Sequence, residues 1–144
     1  MSYVIVTRDR FEAEMDDMGF AHINIPGTLE MVFERDIPNS DFAVRIYSSI
    51  DPRHGVSREV GTDAIRVLLF NKVKDRSLKI EKRVNRTGSE DKVLARVRNR
   101  ARDVWAWHTN NKCSCGGVMV QRKSASGSFL GCSNYPTCKK TKQE

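Results

Sequence analysis

All four cysteines of this 144-residue chain lie close to its C-terminus, and their spacing limits how that segment can fold. One residue separates the first two cysteines, sixteen follow, and five separate the last two. Four thiolates are the soft ligands that tetrahedral Zn²⁺ prefers at a structural site. Two close pairs around a hairpin-length insert therefore predict a zinc ribbon with the ligands Cys113, Cys115, Cys132 and Cys138. Because four protein ligands leave no open coordination position, we expect the zinc to be structural.

Two disulfides, or four free thiols without a role, are the alternatives for these cysteines. The first residues, MSYVIVTRDRFEAEMDD, contain no basic stretch followed by an apolar one, so no secretory signal is predicted. A cytoplasmic location is then the default expectation, and in that setting clustered cysteines bind metal more often than they pair. The insert predicts two short strands with a small core of their own, formed by Val118, Val120, Phe129 and Leu130.

The stretch CGGVMVQRKSASGSFLGCSNYPTCKKT resembles the C4 zinc fingers found at the C-terminus of bacterial type IA DNA topoisomerases. The resemblance covers residues 112–141, and its most specific part is GCSNYPTC. The chain departs from that family at Cys113-Ser114-Cys115, where two residues usually separate the cysteines. Fingers of this kind bind single-stranded DNA, so the resemblance implies the same partner for this ribbon.

The resemblance also implies roles for individual ribbon residues. Phe129 and Tyr135 would stack on bases, with a place in the ribbon core as the alternative for Phe129. An aromatic face stacks on any unpaired base at about 1–3 kcal/mol, while cations follow the backbone. The predicted phosphate contacts are Arg122, Lys123, Lys139 and Lys140.

The two parts of the chain differ in charge. Residues 1–64 contain six Lys or Arg and twelve Asp or Glu, a net charge of −6. Residues 65–144 contain nineteen Lys or Arg and six Asp or Glu, a net charge of +13. This asymmetry favours a polyanionic partner for the second part, with a generic solubilising surface as the alternative.

The residues before the ribbon predict an α+β domain over 1–108 with a mostly antiparallel sheet, followed by the ribbon domain over 109–144. This first domain contains no family motif. Apolar alternation and helical spacing predict strands near 2–7, 20–25, 29–37, 41–49, 64–70 and 78–84, a short helix over 8–19 and a longer helix after Ser89. The polar segment 49–63 predicts a long loop. The polar segment 108–112 predicts a hinge between the two domains.

Further basic residues of the first domain extend the expected nucleic-acid surface. In the hairpin over 64–84 they form a basic sheet face, and in the long helix they lie outside the apolar stripe. A solvated surface is the alternative for the helix. The predicted contacts are Arg66, Lys79, Arg83 and Arg86 near the sheet and Arg96, Arg98, Arg100 and Arg102 on the helix.

The leading hypothesis is a non-enzymatic protein that binds single-stranded DNA, by coating or annealing strands, in replication, recombination or repair. No segment approaches the roughly 20 apolar residues of a membrane span, so no membrane partner is expected. One alternative is a small Mg²⁺-dependent nuclease, and another is an adaptor that binds a protein partner. The nuclease would use Glu30, Glu34, Asp36, Asp41, Asp51 and Asp63, with His54 nearby.

Overall fold

The elements of the chain follow the order that the sequence pattern predicts. A computed structural model describes residues 6–28, 30–49, 65–85 and 87–143, so the strand predicted over 2–7 and the loop predicted over 49–63 lie almost wholly outside the described residues. The elements are α1 (Arg8–Asp17), β1 (Ala21–Ile23), β2 (Glu30–Asp36), β3 (Phe42–Ser49), β4 (Ile65–Asn71), β5 (Arg76–Val84), α2 (Glu90–Asn110), β6 (Met119–Ser124), β7 (Gly127–Cys132) and β8 (Thr141–Lys142). The predicted α+β class followed by a ribbon is confirmed.

Strands β1 to β5 form one sheet in sequence order, and each neighbouring pair is antiparallel. The predicted hairpin of β4 and β5 forms, with an irregularity in register between Leu68 and Phe70. The side-chain oxygen of Asn71 accepts hydrogen bonds from the backbone N–H groups of Val73 and Lys74, each at 3.0 Å. Because Asn71 is buried, these bonds fix the turn between the two strands.

Both helices pack on one face of this sheet. The rings of Phe11 in α1 and Phe33 in β2 meet edge to face, with centroids 5.6 Å apart. Helix α2 starts at Ser89, whose side chain accepts a hydrogen bond from the backbone N–H of Lys92 at 3.2 Å. Its predicted apolar stripe is buried except for Trp105, which is half-buried; the buried members are Val93, Leu94, Val97, Ala101, Val104 and His108. Each large aliphatic side chain of this stripe contributes about 1.5–3 kcal/mol when fully buried.

The opposite face of the sheet is also largely buried. The alternation in β2 places Val32 on the same face as Glu30 and Glu34, and Val32 is fully buried there. On the same face the guanidinium carbon of Arg45 lies 3.4 Å from the ring centroid of Phe70, and Arg45 pairs with Glu34 at 2.7 Å. Strand alternation separates the two faces of a sheet but does not show which of them is covered.

The predicted hinge over 108–112 does not form. Helix α2 continues to Asn110, and His108 is buried against Phe42 with ring centroids 5.3 Å apart. The backbone carbonyl of Asn111 then accepts a hydrogen bond from the N–H of Met119 at 2.8 Å. The polar residues of this segment form the end of α2. The chain then passes directly from α2 into the ribbon.

The ribbon shares the core of the first domain. Its strands β6, β7 and β8 form a separate three-stranded sheet. Val118 and Val120 pack into the same apolar cluster as α2 and the five-stranded sheet, whereas Leu130 and Met119 pack around the cysteines. The four residues predicted as the ribbon's own core are therefore divided, and Phe129 is half-exposed. In the described part of the chain, neither helix is long and apolar enough to cross a membrane.

Candidate metal centre and nucleic-acid interface

The four cysteine sulfurs converge on one point between two turns of the ribbon. All four Sγ atoms lie within 4.8 Å of one another. Cys113 Sγ lies 3.7 Å from Cys138 Sγ, and Cys115 Sγ lies 3.3 Å from Cys132 Sγ. Zn–S bonds of about 2.3 Å in a tetrahedron place the sulfurs roughly 3.8 Å apart, a separation that lies between the shorter of these distances and the 4.8 Å that bounds the cluster. The donor set and its geometry therefore fit zinc.

The first turn, residues 113–117, holds two ligands although it is one residue shorter than usual. The backbone N–H of Gly116 donates to the carbonyl of Cys113 at 3.0 Å, and the N–H of Cys113 donates to the carbonyl of Gly117 at 2.9 Å. Gly116 has a φ of 94°, which strongly favours glycine. A Cβ at Gly117 would lie 3.0 Å from Cys132 Sγ. The two glycines let the short turn present both sulfurs.

The second turn, residues 132–138, encloses the sulfurs with backbone and side-chain donors. The N–H of Asn134 lies 3.4 Å from Cys132 Sγ, and its side-chain Nδ2 lies 3.4 Å from Cys115 Sγ. The N–H of Cys138 donates to the carbonyl of Asn134 at 3.1 Å, which closes the turn. Such donors around a metal site orient its ligands and stabilise thiolates.

The pKa values of two of the thiols are shifted in opposite directions. A hydrogen bond from the backbone at Gly117 lowers the pKa of the exposed Cys115 to about 6. Burial raises the pKa of Cys132 to about 12. Bound zinc supplies the positive charge that keeps both groups deprotonated, as a coordinating metal requires.

The aromatic and basic residues predicted on the ribbon differ in exposure. Tyr135 is 59% exposed, and the guanidinium carbon of Arg122 lies 5.7 Å from its ring centroid. The side chain of Arg122 also passes over Gly131, and its Nη2 donates to the carbonyl of Cys132 at 3.1 Å. This hydrogen bond stabilises the ribbon and uses one of the guanidinium donors. Lys123, Lys139 and Lys140 are exposed, and Lys140 also donates to the hydroxyl of Ser114.

The predicted basic residues of the sheet are only partly exposed. Arg66 and Arg83 lie opposite each other on β4 and β5 and so share a face. Arg83 is exposed, whereas Arg66 pairs with Glu30 at 3.0 Å and lies 4.8 Å from the ring centroid of Tyr47. The side chain of Lys79 and the whole of Arg86 lie outside the described residues.

The four arginines predicted on α2 have different surroundings. Arg96 donates to the backbone carbonyls of Asn85 and Thr87 and thereby holds the segment before the helix. Arg98 pairs with Glu14 at 2.6 Å and Asp17 at 2.8 Å, which joins the two helices. Arg100 pairs with Asp103 at 3.0 Å. Arg102 is exposed and has no ion-pair partner among the residues that the structure describes.

Arg98 and Arg102 line a cleft of about 500 Å³ between the end of α1 and α2. Arg35 lies in the same cleft, where its guanidinium carbon is 4.8 Å from the ring centroid of Trp105. The sequence pattern predicts Trp105 only as part of the apolar stripe of α2 and does not predict its contact with Arg35, because that contact depends on how α2 crosses β2.

The acids considered for a nuclease are engaged in ion pairs in several of the described positions. Glu34 pairs with Lys72 at 3.0 Å as well as with Arg45, and Asp36 pairs with Lys72 at 2.8 Å. Asp51, His54 and Asp63 lie outside the described residues. Within the described ranges, the four cysteines are the group of three or more side chains that could hold a metal ion.

The turn between β4 and β5 contacts the ribbon and was not predicted to belong to a site. Lys74 Nζ donates to Asn134 Oδ1 at 2.6 Å, and Arg76 Nη2 lies 3.4 Å from the carbonyl oxygen of Ser133. The sequence NKVKDRS has the composition of an ordinary solvated turn, so no local signal marks this contact.

Residues 110–144 match the family of topoisomerase DNA binding C4 zinc fingers. A 54-residue segment is 64% identical to part of DNA topoisomerase 1 of Helicobacter pylori, and it covers 37% of this chain and 7% of that protein. No solved structure matches the chain. The match confirms the resemblance of the ribbon. Together with the sulfur cluster it fits a structural zinc, and the four clustered sulfurs are those of Cys113, Cys115, Cys132 and Cys138.

Proposed function

We propose that this protein binds single-stranded DNA without cleaving it and acts in DNA replication, recombination or repair. The observation that supports this most directly is Tyr135, an exposed aromatic side chain on a ribbon of the topoisomerase type. Between residues 110 and 143 the sequence contains six Lys or Arg and no Asp or Glu. An exposed aromatic ring can stack on an unpaired base, and a basic segment without acids attracts the phosphate backbone, so together they favour binding of a single strand.

The exposure of Tyr135 favours a single strand over a duplex. The faces of paired bases are covered by their neighbours, so an aromatic ring on a turn can stack only on a base that is unpaired. Arg122 lies beside this ring and places a cation within reach of the adjoining phosphate. Lys139 and Lys140 follow the last zinc ligand and extend the positive charge along the strand.

The first domain adds exposed cations to this binding surface. Arg83 on the sheet and Arg102 on α2 are exposed. Arg96 and Arg98 contribute to the positive potential of the protein, although their hydrogen bonds within the chain reduce their reach for phosphate. Two weak sites joined in one molecule bind one strand more tightly than either alone through effective concentration.

The test is binding to a fluorescently labelled oligonucleotide, as a single strand and as a duplex of the same sequence, between about 50 and about 200 mM salt. We expect the single strand to bind more tightly and its affinity to fall steeply with salt. Replacing Tyr135→Ala should weaken binding about 10-fold, within the range of one lost base stack. Tyr135→Phe keeps the ring and is the matched control.

The same oligonucleotides incubated with Mg²⁺ or with EDTA test cleavage directly. Intact DNA under both conditions agrees with a binding protein. Degradation that depends on Mg²⁺ would establish the nuclease alternative and contradict the proposal. Binding that ignores salt, or an equal preference for the duplex, would also contradict it, because phosphate contacts release counterions and Tyr135 has no role on paired bases.

A further inference from the structure

We propose that the turn between β4 and β5 and the second zinc turn form one continuous site for a single DNA strand, called here the composite site. It consists of residues 72–76 of the first domain and residues 132–138 of the ribbon. The inference depends on the proposed function. It adds DNA contacts from the first domain, which lies outside the residues that match the zinc-finger family.

Two direct contacts hold the two turns side by side. Lys74 reaches Asn134, the residue immediately before the exposed Tyr135, with Nζ and Oδ1 2.6 Å apart. Arg76 Nη2 lies 3.4 Å from the carbonyl oxygen of Ser133. A strand that stacks a base on Tyr135 therefore passes close to both cations.

The turn of the first domain is ordered before any ligand binds. Two backbone N–H groups of the turn donate to the buried Asn71 side chain, and Asp75 takes a φ of 52° that completes the turn. Lys72, at the start of the turn, pairs with Glu34 and Asp36 of the first domain. Lys74 is therefore presented toward the second zinc turn by a rigid hairpin.

The composite site also contains the two large hydrophobic side chains that are exposed among the described residues. Val73 is 72% exposed and Tyr135 is 59% exposed. They lie on neighbouring turns, each adjacent in sequence to one partner of the Lys74–Asn134 hydrogen bond. Exposed apolar side chains between cations are the surface that unpaired bases and sugars cover in sequence-tolerant binding of single strands.

Charge at the composite site favours a phosphate backbone. Within the composite site, Lys74 and Arg76 come from the first domain, and Asp75 is the one acid of the turn. Arg122, beside the ring of Tyr135, and Lys139, the residue after Cys138, flank the site on the ribbon. Lys74 uses one of its three donors on Asn134 and has two left for phosphate oxygens. The composite site therefore combines an aromatic platform with a row of cations.

The experiment measures affinity for a labelled single strand as a function of salt in full-length variants. Lys74→Gln keeps a donor for Asn134 but removes the charge, so it should weaken binding at least ~3-fold and reduce the slope of log K against log salt by about 0.7, the value for one lost phosphate contact. Val73→Ser should weaken binding about 2- to 5-fold and leave the slope unchanged, since it removes only apolar contact. Lys92→Gln removes the same charge from an exposed position in the first turn of α2 and is the matched control.

Zinc content and the binding of the wild-type protein separate the possible failures. If the wild-type protein does not bind single strands, the proposed function itself fails. If Tyr135→Ala weakens binding while Lys74→Gln and Val73→Ser bind as the wild type does, the composite site is wrong and the ribbon alone is the binding site. If Lys74→Gln loses zinc together with affinity, Lys74 orders the zinc turn through Asn134 and its direct contact with DNA is overturned.

Discussion

The indole N–H of Trp107 donates a hydrogen bond of 2.9 Å to the main-chain carbonyl of Met119. This bond joins the last turns of α2 to the first strand of the ribbon. Trp107 also packs against both apolar clusters, the one that includes Val118 and Val120 and the one around the cysteines. The zinc site and the first domain are thus parts of one packed structure. We therefore expect a substitution that destabilises one of them to destabilise the other.

Removing one zinc ligand should destabilise the whole chain. Cys132→Ser leaves three sulfurs, so we expect loss of zinc and unfolding of the ribbon, because a module of this size depends on its metal. Val118 and Val120 would then leave the shared core, at a cost of about 3 kcal/mol if each contributes roughly 1.5 kcal/mol. Zinc content by mass spectrometry and urea unfolding measured by circular dichroism check this.

Ser128→Ala, an exposed change on β7, is the control for that experiment and should keep both zinc and stability. A first domain that unfolds at the wild-type urea concentration after zinc is lost would contradict the shared core.

Trp107→Phe should weaken the attachment of the ribbon while leaving the zinc ligands in place. The variant keeps an aromatic ring but removes the donor to the carbonyl of Met119, which costs about 1 kcal/mol at this partly buried position. The unfolding midpoint in urea measures this loss. Trp105→Phe is the comparison, since the ring of Trp105 lies beside Arg35 and its indole N–H makes no hydrogen bond to the ribbon among the described residues. Equal stability of the wild type and Trp107→Phe would show that the hydrogen bond adds nothing.

His108 should make the chain less stable in mild acid. Its ring is buried, its Nδ1 has no hydrogen-bond partner among the described residues, and burial together with Lys112 lowers its pKa below the usual 6.5. The unfolded state therefore binds the proton first. The contribution of neutral His108 to the free energy of unfolding is fully present above about pH 6.5. It is lost as the pH falls below that value, because the unfolded state takes up the proton more readily than the folded state.

His108→Phe removes this titration and keeps a ring beside Phe42. We expect the difference in unfolding free energy between the variant and the wild type to grow in favour of the variant from about pH 8 to about pH 5.5. Protonation of the zinc thiolates acts on both proteins and cancels in the difference. A difference that stays constant with pH would mean that His108 does not titrate in this range.

We expect Arg98 to contribute to stability and Arg102 to contribute to DNA binding. Arg98→Gln breaks the pairs with Glu14 and Asp17, so it should lower stability by up to about 1 kcal/mol, the range for exposed ion pairs. Arg102→Gln should leave stability within about 0.5 kcal/mol of the wild type. It should weaken single-strand binding and reduce its salt dependence. Thermal unfolding and oligonucleotide titration measure the two effects, and a reversed pattern would contradict the assignment.

Much of the fold follows from local sequence. Alternation and helical spacing predict five described strands and both helices of the first domain, because each pattern depends on residues that are close neighbours in the chain. The cap at Ser89 and the buried stripe of α2 follow in the same way. The hinge over 108–112 is the clearest failure, since a polar helix end packed against another element has the same composition as a linker.

The zinc site is the part of the function that the sequence determines most fully. Cysteine spacing and the adjoining glycines and proline identify the ligands without any knowledge of the first domain, because all four ligands come from one short segment. The role of a basic residue is different. Arg98 and Arg102 look alike in sequence, but one is paired with acids 84 and 81 residues away and the other is exposed on the same helix.

By itself, the sequence determined that this chain contains an α+β domain and a four-cysteine zinc ribbon of the topoisomerase type. Only the tertiary structure decided that the ribbon is packed on the domain through Trp107 and Val118, and that Lys74 lies against Asn134. The physical reason is distance along the chain. The bond between Lys74 and Asn134 joins residues 60 positions apart, and no local pattern encodes a contact that arises from the packing of two separate elements.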